Sequence, residues 1–156
     1  MRISGLLSED MVIPDLKAEG RDEALQEMVH FLKERQVISH DEELFEKLVQ
    51  RENLGSTAVG DGIAIPHCKL AEVTSPLISL AVSKKGVSFF SLNGKPTSVF
   101  FLVISPPENP SLSLQILAAI AQLVRKASSL PKRILSAKTP RRMIEVIREE
   151  EEKLHE

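Results

Sequence analysis

The sequence predicts a single α/β domain, a sandwich in which a mixed β-sheet carries helices on both faces. Three observations lead there. Strand-like and helix-like segments alternate along the chain, with two helices first and up to three last. Residues 98–104 are apolar at nearly every position, the pattern of a central strand covered on both sides. No stretch of the 156 residues reads as a linker or an internal repeat. One domain of that length buries roughly 70% of its extended-chain surface.

Met11-Val12-Ile13 reads as a short strand ended by Pro14. Over residues 20–36, Ala24, Leu25, Met28, Val29 and Leu32 form the i, i+1, i+4, i+5, i+8 stripe of an amphipathic helix. A second helix is predicted from about 40 to 52, opened by the capping box Ser39-x-x-Glu42. Leu44, Phe45, Leu48 and Val49 would be its buried face, and Arg51 its last turn, where a cation complements the helix dipole. Residues 57–60 and 63–65 are strand-like runs around Asp61-Gly62, a two-residue hairpin turn that needs positive φ. Residues 77–84 and 87–90 read as two further strands, and Asn93-Gly94 as a turn before the central one. Pro106, Pro107 and Pro110 form a stiff connector to a helix that starts near Ser111 and carries Leu114, Leu117, Ala118, Ala121 and Val124. A short helix follows over 129–136. Thr139 then caps a last helix with Pro140 in its first turn and Met143, Ile144 and Ile147 on its buried side. The domain is expected to span 1–156, with an ordered core of about 5–148. The acidic tail 149–156 should be solvated, because like charges at a helix C-terminus oppose its dipole.

Composition narrows the function classes. Net charge is −2 with both signs interspersed, so there is no electrostatic case for nucleic acid. No apolar run nears the roughly 20 residues of a membrane helix, which predicts no membrane insertion. The N-terminus lacks the layout of a secretory signal. A single cysteine, Cys68, excludes an internal disulfide and fits a reducing cytosol, so a cytoplasmic location is expected. Cys68 beside His67 is a poor metal site, since neighbours on an extended chain face opposite ways and no other ligand spacing is present.

Residues 51–69 read RENLGSTAVGDGIAIPHCK and hold the chemistry. Pro66 fixes its own φ and biases Ile65 toward extended geometry, so the chain reaches His67 with little freedom. An arginine beside a positioned histidine suits a phosphoryl group, because the guanidinium fork matches phosphate oxygens and keeps its charge. Taken singly, His67 would be a structural or surface histidine, Arg51 a solvated helix-end residue and Asp61 a turn residue. Taken together, Arg51-Glu52, Gly55-Ser56-Thr57, the run from Gly60 to His67, and Lys69 closely resemble the active-site segment of a known family. That family is the type-2 IIA domains of the phosphoenolpyruvate-dependent phosphotransferase system (PTS), the fructose/mannitol and nitrogen-regulatory class. The resemblance continues through Phe89, Asn93-Gly94-Lys95-Pro96 and the apolar run to Pro106.

The resemblance implies a phosphotransferase component in which His67 is the nucleophile and carrier. A neutral imidazole is a good nucleophile near pH 7. Arg51 would stabilise the phosphoryl group, with backbone N–H groups near residues 60–62 or after His67 as further donors. It also implies that the phosphoryl sits on Nε2 while Nδ1–H bonds a backbone carbonyl, and that neither a metal nor an organic cofactor is needed. Two positions depart from the family. Its second histidine, which helps hold the phosphoryl group, aligns with Ser113, whose hydroxyl can donate a hydrogen bond but brings no charge. Read alone, Ser113 is a residue of a first helical turn. Cys68 stands where the family commonly has glycine.

The expected donor is a phosphocarrier protein resembling HPr. The recipient is either a regulatory target protein, in the nitrogen-related manner, or a IIB component that phosphorylates incoming sugar. Ser113, and the absence of a fused IIB, HPr or membrane domain from these 156 residues, favour the regulatory reading. A third reading is a phosphorylation-independent binding protein on the same fold. Hydrolysis is disfavoured, since no Ser-His-Asp order or paired carboxylates accompany the histidine.

Overall fold

The central strand organises everything around it. It forms as β6 (Thr97–Ser105), and its side chains alternate between two cores. Val99, Phe101 and Val103 enter one, and Phe100, Leu102 and Ile104 the other. Two apolar faces need two helical covers. The computed structural model, which describes residues 1–155, supplies both. Helices α1 (Arg21–Glu34) and α2 (Asp41–Asn53) bury Leu25, Met28, Leu32, Leu44 and Leu48 on the Phe100 side. Helices α3 (Pro110–Lys126), α4 (Leu130–Ser136) and α5 (Pro140–Leu154) bury Ile116, Ile120, Ile134, Met143 and Ile147 on the Phe101 side.

The sheet is mixed, as expected. Its order is β1 (Val12–Ile13), β5 (Leu77–Val87), β6, β3 (Ile63–Ala64) and β2 (Ala58–Gly60). A further strand, β4 (His67–Lys69), continues past β3 along the same side of β6. β5 and β6 are antiparallel, whereas β3 and β4 run parallel to β6. Pro66, between β3 and β4, has no N–H to offer, but its carbonyl accepts from Val103 N at 2.9 Å, so the ladder is not broken.

The structure departs from the sequence reading at several places, among them β4, not expected as a strand, and α3, which buries Ser113, Ile116, Ile120, Leu123 and Val124 and leaves Leu114 exposed. Residues 87–90 are not a separate strand: β5 runs on to Val87 through an irregularity between Val82 and Val87. Gly86 makes this possible with φ +86°, and a Cβ there would lie 2.8 Å from the Pro96 side chain. Met11 belongs to a 3₁₀ turn (Glu9–Met11) rather than to β1, and a similar turn spans Ile3–Leu6. The capping box does not form. The residue ahead of α2 is His40, without a side-chain cap, and the Ser39 hydroxyl donates instead to Glu72 at 2.9 Å. Finally, α5 continues to Leu154 through the segment expected to be a solvated tail. Its carboxylates find partners. Arg133 donates to Glu149 at 2.5 Å and to Glu150 at 2.6 Å, and buried Glu151 accepts from Ile3 N at 2.5 Å and the Ser4 hydroxyl at 2.6 Å. Glu156 lies outside the described residues.

Glu72 is the anchor the sequence did not reveal. It accepts from His40 N at 2.7 Å and from Ser39 N at 3.0 Å, fixing how the chain turns into α2. Burial pushes its carboxyl up, but the backbone donors of His40 and Ser39 outweigh it and hold the pKa at about 2. A carboxyl held below its ordinary value of 4.5 stabilises the fold above that pH, and the contribution is lost as pH falls from 4.5 toward 2. Glu72→Ala is expected to lower Tm by about 3 °C at pH 7 and to lessen the loss of stability between pH 4.5 and 2. The chain has neither Trp nor Tyr, so far-UV circular dichroism is the probe. An unchanged Tm at pH 7 would remove Glu72 as an anchor.

Candidate functional site

The hairpin that leads to His67 turns at Asp61 and Gly62, whose φ values of +55° and +81° suit an Asp-Gly pair. Its base is fastened to the end of α2. Buried Glu52 accepts from Thr57 N at 2.9 Å and from the Thr57 hydroxyl at 2.6 Å. The Ser56 hydroxyl donates to the Phe89 carbonyl at 2.9 Å and accepts from Ala58 N at 3.1 Å. Thr57 in turn offers its carbonyl to Ile65 N at 3.1 Å, two residues ahead of His67. The motif residues Glu52, Ser56 and Thr57 are therefore a brace.

His67 opens β4 opposite Val103 of β6 and is half-buried. Its Nδ1 lies 2.8 Å from the Ile65 carbonyl oxygen. A carbonyl oxygen only accepts, so Nδ1 carries the proton and donates, and in the neutral ring Nε2 keeps its lone pair. One ring nitrogen is thereby oriented and the other is left nucleophilic.

A cleft of about 510 Å³ opens where β4 meets the two helical layers. Lys47 and Arg51 reach it from α2, His67 and Lys69 from β4, and Ser113 from the first turns of α3. The structure thus brings His67, Arg51 and Ser113 to one place from three elements. Arg51 donates from Nη1 to the Gly55 carbonyl at 2.8 Å, which orients the guanidinium and leaves its other N–H groups for a ligand. Ser113 is buried, and its hydroxyl donates to the Asn109 carbonyl at 3.3 Å. Asn109 also caps α3, its side chain accepting from Leu112 N at 3.4 Å. Exposed Leu54 and Leu114 edge the opening.

Residues 60–62, expected as possible phosphoryl donors, lie elsewhere. The Gly62 carbonyl accepts from Ser98 N and Val99 N at the start of β6, whereas His67 pairs near that strand's end. Half-buried Cys68 packs against the α1/α2 core. Burial pushes its thiol up to about 12, with Lys47 opposing and Glu43 reinforcing the shift, so it stays protonated and unreactive at neutral pH. Among the described residues no group of three or more His, Cys, Asp or Glu is placed to hold a metal, and no helix is long and apolar enough to cross a membrane. Sequence reasoning had not singled out Lys47 or the bracing role of Glu52. The Glu-x4-Thr spacing after a helix end was the available signal for the second.

Comparison with known proteins places this arrangement. A nitrogen regulatory protein of Bradyrhizobium diazoefficiens is 36% identical over 126 residues, covering 80% of this chain and 81% of its own. The PTS system fructose-specific EIIABC component of Bacillus subtilis is 29% identical over 147 residues, which are 94% of this chain but 23% of that longer one. In fold, the chain is similar to the crystal structure of the nitrogen regulatory protein IIA-Ntr from Neisseria meningitidis. The TM-score is 0.83 at 24% identity, over 93% of this chain and 98% of the other. Residues 5–150, which take in the whole sheet and every wall of the cleft, match the family described as "Phosphoenolpyruvate-dependent sugar phosphotransferase system, EIIA 2". The chain belongs to that family.

Proposed function

We propose that this IIA component is a phosphocarrier of the nitrogen-regulatory kind, with His67 as the residue that carries the phosphoryl group. The observation that carries the reading is the His67 Nδ1–H···O bond to Ile65, which leaves the Nε2 lone pair in a cleft walled by Arg51 and two lysines. In the proposed step that lone pair attacks the phosphorus of a phosphohistidine on an HPr-like donor. A new P–N bond forms as the donor's P–N bond breaks, and the electron pair goes to the donor ring, which is protonated on its other nitrogen and leaves as neutral imidazole. The His67 ring keeps Nδ1–H and becomes cationic, so the Ile65 carbonyl dipole stabilises the product more than the reactant. Arg51 offsets charge on the equatorial oxygens during transfer.

Two destinations remain in view. Regulation of another protein is supported by the Bradyrhizobium relative, a nitrogen regulatory protein. Transfer to a IIB component is the second reading, favoured by the alignment of this chain within an EIIABC component. A purely binding role is disfavoured by the His67 tautomer, which presents a nucleophilic nitrogen that anion binding alone does not require.

Incubation with phosphoenolpyruvate, enzyme I and HPr, followed by intact-mass analysis, is expected to show an acid-labile gain of one phosphate in the wild type. His67→Ala should show none, and a gain in that variant would move the carrier elsewhere. Arg51→Gln should slow phosphoryl acceptance by about 10²-fold. Ser113→His, which adds a chargeable ring to the cleft, should speed phosphoryl exchange with HPr; equal rates in both proteins would take position 113 out of the site. A pull-down that differs between wild type and His67→Glu would favour regulation, and transfer to a purified IIB domain would favour sugar uptake.

A further inference from the structure

Seven of the 20 lysines and arginines form ion pairs among the described residues. Lys17 pairs with Asp15, Lys33 with Asp41, Arg133 with Glu149 and Glu150, and Lys153 with Glu150. The cleft at His67 instead gathers unpaired cations on one wall. Lys47, Arg51 and Lys69 line it, no Asp or Glu does, and none of the three forms an ion pair among the described residues. In a chain of net charge −2, three uncompensated cations on one concave wall repel one another until an anion joins them. Arg51 and Lys69 belong to the motif read from the sequence. Lys47 does not.

Lys47 stands one helical turn ahead of Arg51, so both side chains leave α2 on the same face. We infer that Lys47 is a second cationic ligand of the phosphoryl group on His67, a deepening that rests on the phosphocarrier reading above. A phosphoryl group carries a charge of about −2, of which Arg51 offsets one unit. Ser113, across the cleft, has no charge, and its hydroxyl proton is directed to the Asn109 carbonyl. Lys47, which like Lys69 forms no ion pair among the described residues, has a flexible four-carbon stem that can follow the group as it arrives and leaves. Its charge acts on this strand already, since it opposes the upward shift of the Cys68 thiol next to His67. On α2, Glu43 stands one turn behind Lys47 and Glu46 beside it; neither lines the cleft or forms an ion pair with Lys47.

The test is the equilibrium of phosphoryl exchange with HPr, measured for wild type, Lys47→Gln and Lys47→Arg. An equilibrium constant is blind to how well HPr docks and reads only the stability of the phosphorylated form relative to the unphosphorylated one. Lys47→Gln is expected to shift it about tenfold toward phospho-HPr, and Lys47→Arg to stay within about threefold of wild type. The shift should shrink at high salt, because the cleft is open to solvent. In ³¹P NMR of the purified phosphoproteins, the apparent pKa of the phosphohistidine signal should rise in Lys47→Gln, since a nearby ammonium opposes protonation. Melting by circular dichroism shows whether each variant remains folded. A wild type that accepts no phosphoryl group overturns the carrier reading and this inference with it. A phosphorylated wild type with unchanged equilibrium and titration in Lys47→Gln overturns the inference alone. Equal losses in both variants, with lowered melting, would mark a packing role and overturn it as well.

Discussion

A strand that meets water on neither face must be covered twice, and β6 sets that requirement for the whole molecule. The two covers are the α1/α2 pair and the α3–α5 group, and the sheet is the partition between them. The cleft is a by-product of this layering. β4 is too short to carry the sheet further, so beyond it a helix of one layer and a helix of the other face each other across an open edge. Register then decides which residue looks into the gap. His67 pairs with Val103 and Cys68 with Ile104, and a slip by one residue would exchange the imidazole for the thiol.

The motif divides its labour between chemistry and carpentry. Arg51 and His67 face the cleft, while Glu52, Ser56 and Thr57 tie the end of α2 to the hairpin. Glu52 is only 4% exposed and has no cationic partner among the described residues, an arrangement that would be costly without hydrogen bonds. Both its oxygens are served by Thr57, through the backbone and the hydroxyl. A buried acceptor satisfied by a single residue demands good geometry, which makes the brace stiff. Stiffness would serve the proposed phosphoryl transfer, which depends on position more than on reactive groups.

What could be read from the sequence was what depends on near neighbours. The apolar run of β6, the Asp-Gly turn, the stripe of α1 and the Thr139-Pro140 start of α5 each express themselves within a few residues. The misread features depend on distant partners. Glu72 reaches back 32 and 33 residues to orient the start of α2, displacing the local capping box. Glu151 spans 148 residues to bind the amide of Ile3, and this turns a predicted tail into a packed helix end. Gly86 falls between the two strands read from the sequence, and its role, letting the Pro96 loop approach closely, lies across the sheet. At the cleft the same division holds. Arg51 and His67 stand in a contiguous motif, whereas Lys47 is one more charge on a polar helix until the fold sets it opposite β4.

The segment bearing His67 holds α2 at both ends. Thr57 is bound at one end through Glu52, and Glu72 grips the amides ahead of the other. Helix, hairpin and strand therefore share attachments, so that opening one of them breaks hydrogen bonds made by another. Arg51 and His67 reside on different elements, and these shared bonds tie the spacing of guanidinium and imidazole to the integrity of both.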